Sequence, residues 1–225
     1  MKSWYWFEEN FLPPMEYNPH PRKNHPGYGV NSHNYRCPEF DTIDWANSYV
    51  LFGGSDVYGE GLKDNEIMSY FLQEMLGQPV INLAVPAASN QHIVLTMSML
   101  ARRYTPKAFL VGWGDEGRWL HWDEKAKNSI DVQAHRGPHK EFCGDPYPQL
   151  IHSLHWYSSQ ARVTAQAIAG NRLVEIGGEP YPIIKEWGVT TVPYVDSGFD
   201  ENHIGINTQK KAAEILYNKI KEQGL

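Results

Sequence analysis

The chain has 225 residues, of which 41% are hydrophobic and 20% charged, with a formal net charge of −6. That length suits one domain, or one domain with an arm, and the apolar fraction can fill a core, which excludes a disordered chain. The acidic balance leaves no basic footprint for nucleic acid, and no apolar stretch approaches the length of a membrane span.

Residues 1–12 mix charges with aromatics and lack the continuous apolar stretch of a cleaved secretion signal, so the protein is expected to be cytoplasmic when made. Cys37 and Cys143 are too few for a disulfide framework and lack metal-type spacing, so they read as ordinary thiols of a reducing compartment. Residues 1–45 are rich in Pro, His, Asn and aromatics and show little apolar periodicity. They read as an arm laid over the domain through Trp4, Trp6, Phe7 and Phe11, and residues 46–225 read as the domain itself.

From residue 46 onward, strand and helix signals alternate. Residues 49–52 are an apolar strand that stops at Gly53-Gly54. Residues 65–76 carry Ile67, Met68, Phe71, Leu72, Met75 and Leu76 at helical spacing, closed by Gly77. Residues 79–83 form a second strand. Residues 91–104 form a helix opened by Ser89 or Asn90 and ending on Arg102-Arg103.

Residues 107–113 make a third strand whose nearly continuous apolar character suits a sheet covered on both faces. Residues 114–148 are predicted to be irregular, and 149–169 a long helix. Residues 172–176 and 190–195 are further strands, and 208–221 a closing helix. Alternation of this kind predicts an α/β fold, a three-layer α/β/α sandwich around a central parallel sheet.

Ser55 follows the paired glycines, so it is presented at the carboxyl edge of the sheet, where open α/β folds place their chemistry. A serine hydroxyl needs a base to take its proton, and a carboxylate to orient that base. Of ten histidines, His203 lies between the last strand and the last helix, at the same edge, with Asp200 three residues before it. Asp200 is close enough on a turn to accept the Nδ1 proton and leave Nε2 facing the serine. The bland alternatives are a glycine turn that merely allows tight packing and a surface histidine at a helix start. A dinucleotide or phosphate loop is disfavoured, because Gly53-Gly54 and Gly59 have neither fingerprint spacing.

Taken in order, these segments resemble the SGNH (GDSL-type) hydrolases from about residue 46 to the C-terminus. Gly53-Gly54-Ser55 stands at the family's Gly-Asp-Ser, followed by Gly59 and Gly61. Asn82-Leu83-Ala84-Val85-Pro86-Ala87 stands at Asn-x-Gly-x-x-Gly, with both glycines replaced by alanine. Asp200 and His203, trailed by Gly205, stand at Asp-x-x-His. The third motif, Gly-x-Asn-Asp, is matched by Gly112-Trp113-Gly114-Asp115, so Gly114 replaces the asparagine that donates to the oxyanion.

The resemblance implies a flavodoxin-like SGNH-hydrolase fold and a catalytic triad of Ser55, Asp200 and His203. It implies an oxyanion hole built at Ser55, Ala87 and Gly114, weakened at Gly114, with Asn90 or Arg118 as spatial substitutes. No cofactor or metal is expected. The substrate would be a small-molecule or carbohydrate ester, an O-acetyl or short acyl ester in particular. Trp113, Trp119 and Trp122 could form a sugar-stacking wall, although such residues more often pack; Asn90, Trp113, Arg118 and Trp119 are the candidate substrate contacts.

The alternative is a catalytically weakened or inactive SGNH-like structural or carbohydrate-binding protein. Residues 31–36 resemble the lead-in of small SGNH-like proteins of tailed phages, which would imply a virion or infection role. His20, His25 and His33 read as solvated arm residues and His152 with His155 as a structural pair, not as metal ligands. The oligomeric state is left open.

Overall fold

The computed structural model describes residues 28–123, 128–133, 147–179, 181–199 and 201–225, with backbone alone over 121–123, 128–133 and 147–152. The sheet-forming strands are β1 (Tyr49–Gly53), β2 (Val80–Asn82), β3 (Ala108–Trp113), β6 (Leu173–Gly178) and β7 (Thr190–Val192). They lie in the order β2-β1-β3-β6-β7, and every pairing is parallel. Every residue of β1 and β3 is buried, as expected of strands covered on both faces.

The helices between strands form two layers. Helix α1 (Ser55–Tyr58) is a single turn after β1, followed by α2 (Met68–Leu76). Next come α3 (Asn90–Ala101), α4 (Tyr147–Ala169), α5 (Pro182–Glu186) and α6 (Ile206–Gln223). Helix α2 packs with α6 on one face and α3 with α4 on the other, which completes the three-layer α/β/α sandwich. Between them, Leu51, Phe52, Phe109, Leu110 and Val111 are fully buried. Among the described residues no helix is long and apolar enough to cross a membrane.

Start and stop residues act as the local chemistry predicts. The Ser89 hydroxyl caps α3 by accepting from the His92 amide at 3.2 Å, and α2 stops at Gly77 in the left-handed conformation (φ 63°). Helix α2 starts three residues later than its apolar spacing predicts, because Asp64–Glu66 is a separate 3-10 turn in which the Glu66 side chain reaches back to the Lys63 amide. The basic pair Arg102-Arg103 falls just beyond the end of α3.

The larger correction concerns residues 114–148. They are not irregular throughout: β4 (Arg118–Asp123) and β5 (Asn128–Gln133) form an antiparallel hairpin, a second sheet of its own. The Leu120 amide donates to Gln91 Oε1 on α3 at 2.8 Å and so ties the hairpin to the domain. Residues 28–45 lie against the same core, where Tyr35 and Trp45 are buried and Trp45 stacks on Tyr104. Trp4, Trp6, Phe7 and Phe11 lie outside the described residues.

Candidate active site

Strand order reverses at β1, with β2 on one side and β3 on the other, so the segments leaving these strands diverge at their carboxyl ends. Such switch points form crevices in open α/β folds. The glycines here have a steric reason. A Cβ on Gly53 would come 2.3 Å from Val57 Cγ2, and one on Gly112 would come 2.5 Å from the same methyl. Side chains at either position would push α1 off the sheet. Gly54 is under no such constraint, since its nearest Cβ contact would be Ala88 O at 3.7 Å.

A cavity of about 220 Å³ opens at this edge. Ser55, at the first position of α1, lines it together with Gly54, Gly114, Tyr181, Asn202 and Ile204. The amides of Ser55 and Ala87 donate to no other described residue, whereas the neighbouring Ala88 amide is bonded to Val85 O at 3.1 Å. Ala87 itself is exposed and sits in the left-handed region (φ 63°), a conformation that suits the glycine of the family motif better than alanine.

At Gly114 an added Cβ would meet nothing within 4 Å. Its backbone is held by Asn90: Asn90 Oδ1 accepts from the Gly114 amide at 3.1 Å, and Asn90 Nδ2 donates to the Gly114 carbonyl at 3.4 Å and to Ser158 Oγ at 3.2 Å. Asn90 is buried and outside the cavity lining, so its amide positions the loop after β3 and is not turned toward a ligand.

Trp113 lines the cavity but is only 2% exposed, with Nε1 donating to Glu175 Oε1 at 2.9 Å and its ring edge-on to Trp187. Arg162 from α4 grips the same Glu175 through Nε (2.8 Å) and Nη2 (3.2 Å), so the ring is a fixed wall and not a mobile stacking surface. Arg118 lines the cavity with its Nε 3.8 Å from Asp115 Oδ2, while Trp119 is half-buried and outside the lining. The side chain of Trp122 lies outside the described residues.

Among the described lining residues, Asp56, Asp115 and Glu179 face one cation, Arg118, so these walls are acidic on balance. Burial, and then the charges of Asp56 and Asp115, push the Tyr181 hydroxyl up to about 12, which keeps it a hydrogen-bond donor in the lining. Burial likewise raises the carboxyl of Glu116, with a smaller contribution from Asp115, and His155 Nε2 stands 3.7 Å from its Oε1.

The last motif is held on two sides. Gly198 donates to the His203 carbonyl at 2.6 Å, and Ser197 and Ile204 form an antiparallel bridge. Ile204 N approaches Asp56 Oδ1 at 3.5 Å, which brings the turn against the serine loop. Asp200 lies outside the described residues. His203 is a near neighbour of that loop, but no hydrogen bond joins it to Ser55 Oγ among the described residues. Its Nε2 lies 3.4 Å from Glu60 Oε2 instead.

Glu60 is the residue that sequence reasoning passed over. Its signal was the Gly59-Glu60-Gly61 triplet, whose glycines both adopt positive φ (81° and 83°) and fix what the residue between them faces. Among the described residues no cluster of three or more His, Cys, Asp or Glu could hold a metal ion. His33 stacks on Phe40, His20 and His25 lie outside the described residues, and nothing is described of the His152 side chain.

No protein-family model matches this chain, and neither does any curated protein. Solved structures do. A carbohydrate esterase whose active site is described as having divergent catalytic and non-catalytic binding functions shares a TM-score of 0.51 at 10% identity, over 81% of this chain and 70% of that one. A carbohydrate esterase family 2 enzyme with a carbohydrate-binding domain, from Corynascus thermopiles (Myceliophthora fergusii), shares 0.50 at 11% identity, over 88% and 68%. TesA aligns with a TM-score of 0.45 at 14% identity, over 78% of this chain and 99% of that one. The chain has the SGNH-hydrolase α/β/α fold.

Proposed function

We propose that the protein is a serine hydrolase that cleaves a short acyl ester, an O-acetyl ester on carbohydrate in the first instance, through an acyl-enzyme on Ser55. The observation that carries this reading is the placement of Ser55 in the wall of a cavity at the sheet's carboxyl edge, with the turn bearing His203 packed against the same loop. The amides of Ser55 and Ala87, which donate to no other described residue, support it as donors to a developing oxyanion. The similarity in fold to carbohydrate esterases favours the substrate class. A cavity of about 220 Å³ has room for a short acyl group.

In this mechanism His203 takes the Ser55 proton as Oγ attacks the ester carbonyl. Asp200 orients the imidazole and stabilises its cation, and the proton passes to the departing alcohol as the ester C–O bond breaks. Water, deprotonated by His203, then releases the acid and restores Ser55.

Purified protein is expected to hydrolyse 4-nitrophenyl acetate, and Ser55→Ala to lose that activity by about 10³-fold or more. Equal rates in the two proteins, or none in either, would favour the alternative of a non-catalytic carbohydrate-binding protein. The occupied backbone and missing side chain at Gly114 are what speak for that alternative.

A further inference from the structure

Glu60 stands where a partner for His203 was expected to be Ser55. The Glu60 backbone is held on both sides. Arg36, itself buried, donates through Nη1 to the carbonyls of Tyr58 (3.2 Å) and Gly59 (2.7 Å) and through Nη2 to Leu62 O (3.1 Å). The Gly61 amide donates to Tyr28 Oη at 2.9 Å, and Gly59 sits so close to Ile67 that a Cβ there would come within 2.2 Å of it. The His203 backbone is equally fixed by Gly198 and by the Ser197–Ile204 bridge. Two backbones tied by hydrogen bonds therefore present these side chains to each other, and side-chain rotation is the least disruptive way to separate them.

A second observation agrees. Asn202 and Ile204, the residues on either side of His203, both line the cavity, and His203 does not. The imidazole instead lies against Glu60, at 3.4 Å from Nε2 to Oε2. A lone pair on Nε2 would be repelled by a carboxylate at that distance, whereas an N–H is attracted, so the contact favours the ring form in which Nε2 donates. A protonated Nε2 cannot accept the proton of Ser55.

From this geometry we infer that Glu60 is a positioning residue that holds His203 in a resting orientation, competing with Ser55 for Nε2. The inference rests on the hydrolase reading above, in which Nε2 is the general base. Acylation then requires the ring to rotate from Glu60 into the cavity, about side-chain bonds alone. The contact is long for a hydrogen bond and both side chains keep some exposure, so the hold is weak enough for a ligand to displace.

The test is the rate at which a small fluorophosphonate labels wild type, Glu60→Gln, Glu60→Ala and Ser55→Ala. This reagent needs the serine proton removed but has no need of a matched alcohol. Labelling of Ser55 is expected to be roughly 3- to 10-fold faster in Glu60→Ala than in wild type, with Glu60→Gln between them because its amide oxygen still accepts from Nε2. KM for 4-nitrophenyl acetate should stay the same. A gain in rate is not what structural damage produces, and the near-isosteric Glu60→Gln guards against misfolding of the alanine variant. Labelling at the wild-type rate or slower in both Glu60 variants would overturn the inference and leave the hydrolase reading intact. No labelling of Ser55 in any protein would overturn both.

Discussion

A side chain at position 53 or 112 would collide with Val57, whereas one at 54 or 114 would not. The four glycines around the site therefore have two different meanings. Gly53 and Gly112 are required by the packing of α1 on the strand ends. Gly54 and Gly114 stand where the SGNH motifs carry aspartate and asparagine, and at neither would a Cβ meet another atom closer than 3.7 Å. Since Asn90 holds the Gly114 backbone from behind, a side chain added there would emerge from a fixed position beside the cavity. Gly114→Asn is expected to raise kcat for 4-nitrophenyl acetate by about 10-fold, part of the 10²–10³ that an oxyanion donor is typically worth. An unchanged or lower kcat with the fold intact would place the oxyanion away from residue 114.

Residues of this kind differ in how far the chain alone exposes them. The placement of Ser55 at the sheet's edge was legible because a buried strand ending in paired glycines presents the next residue there. Glu60 was not, because a charged residue in a loop reads as solvated until its neighbours are known. The contacts of Asn90 were hidden for a related reason: an amide near a site suits a ligand as well as a backbone, and only burial shows which it meets.

Among the elements, the long apolar strands β1 and β3 lie where their patterns place them, and the periodic helices do so apart from shifts of a few residues at their ends. The hairpin β4–β5 escaped detection because Arg118, His121, Asp123, Asn128, Asp131 and Gln133 interrupt its apolar residues, and it pairs within itself outside the buried sheet. Helix α6 illustrates a cap that sequence spacing hides. Its N-cap is Gly205, but the oxygen that satisfies its first turn comes from Asp196, nine residues upstream. Asp196 Oδ2 accepts from the Asn207 amide (3.0 Å), and Oδ1 accepts from the Thr208 amide (2.9 Å) and hydroxyl (2.9 Å).

Partial burial opposes ionisation of Asp196, but the backbone hydrogen bonds from Asn207 and Thr208, joined by their side chains, outweigh it and hold the carboxyl below its ordinary value. A carboxyl lowered by folding contributes stability that is present above its unfolded value, about pH 4, and is lost as pH falls through the lower folded value. Asp196→Asn is expected to cost about 1 kcal/mol in urea unfolding at pH 7, the usual scale for a helix cap. The difference from wild type should shrink as the pH drops below about 4. A gap that stays constant down to low pH would show that charge at Asp196 plays no part in holding α6.

For the molecule as a whole, alternation of strands and helices was enough to predict a parallel sheet between helical layers, and the order β2-β1-β3-β6-β7 puts the ends of four strands around one cavity. Loops far apart in the chain, near residues 55, 114, 179 and 203, meet there because parallel strands all end at the same edge. That convergence was readable from topology. The acidic balance of the walls and the direction of the His203 ring were not, since both depend on side-chain placement across separate loops.

The central claim, that Ser55 is an acylated nucleophile, is tested most directly by rapid mixing with 4-nitrophenyl acetate followed by acid quench and peptide mass mapping. A burst of nitrophenolate approaching one equivalent per chain is expected, with an acetyl group on the peptide containing Ser55, and neither in Ser55→Ala. Turnover without an adduct on Ser55, or an equal burst in Ser55→Ala, would contradict it.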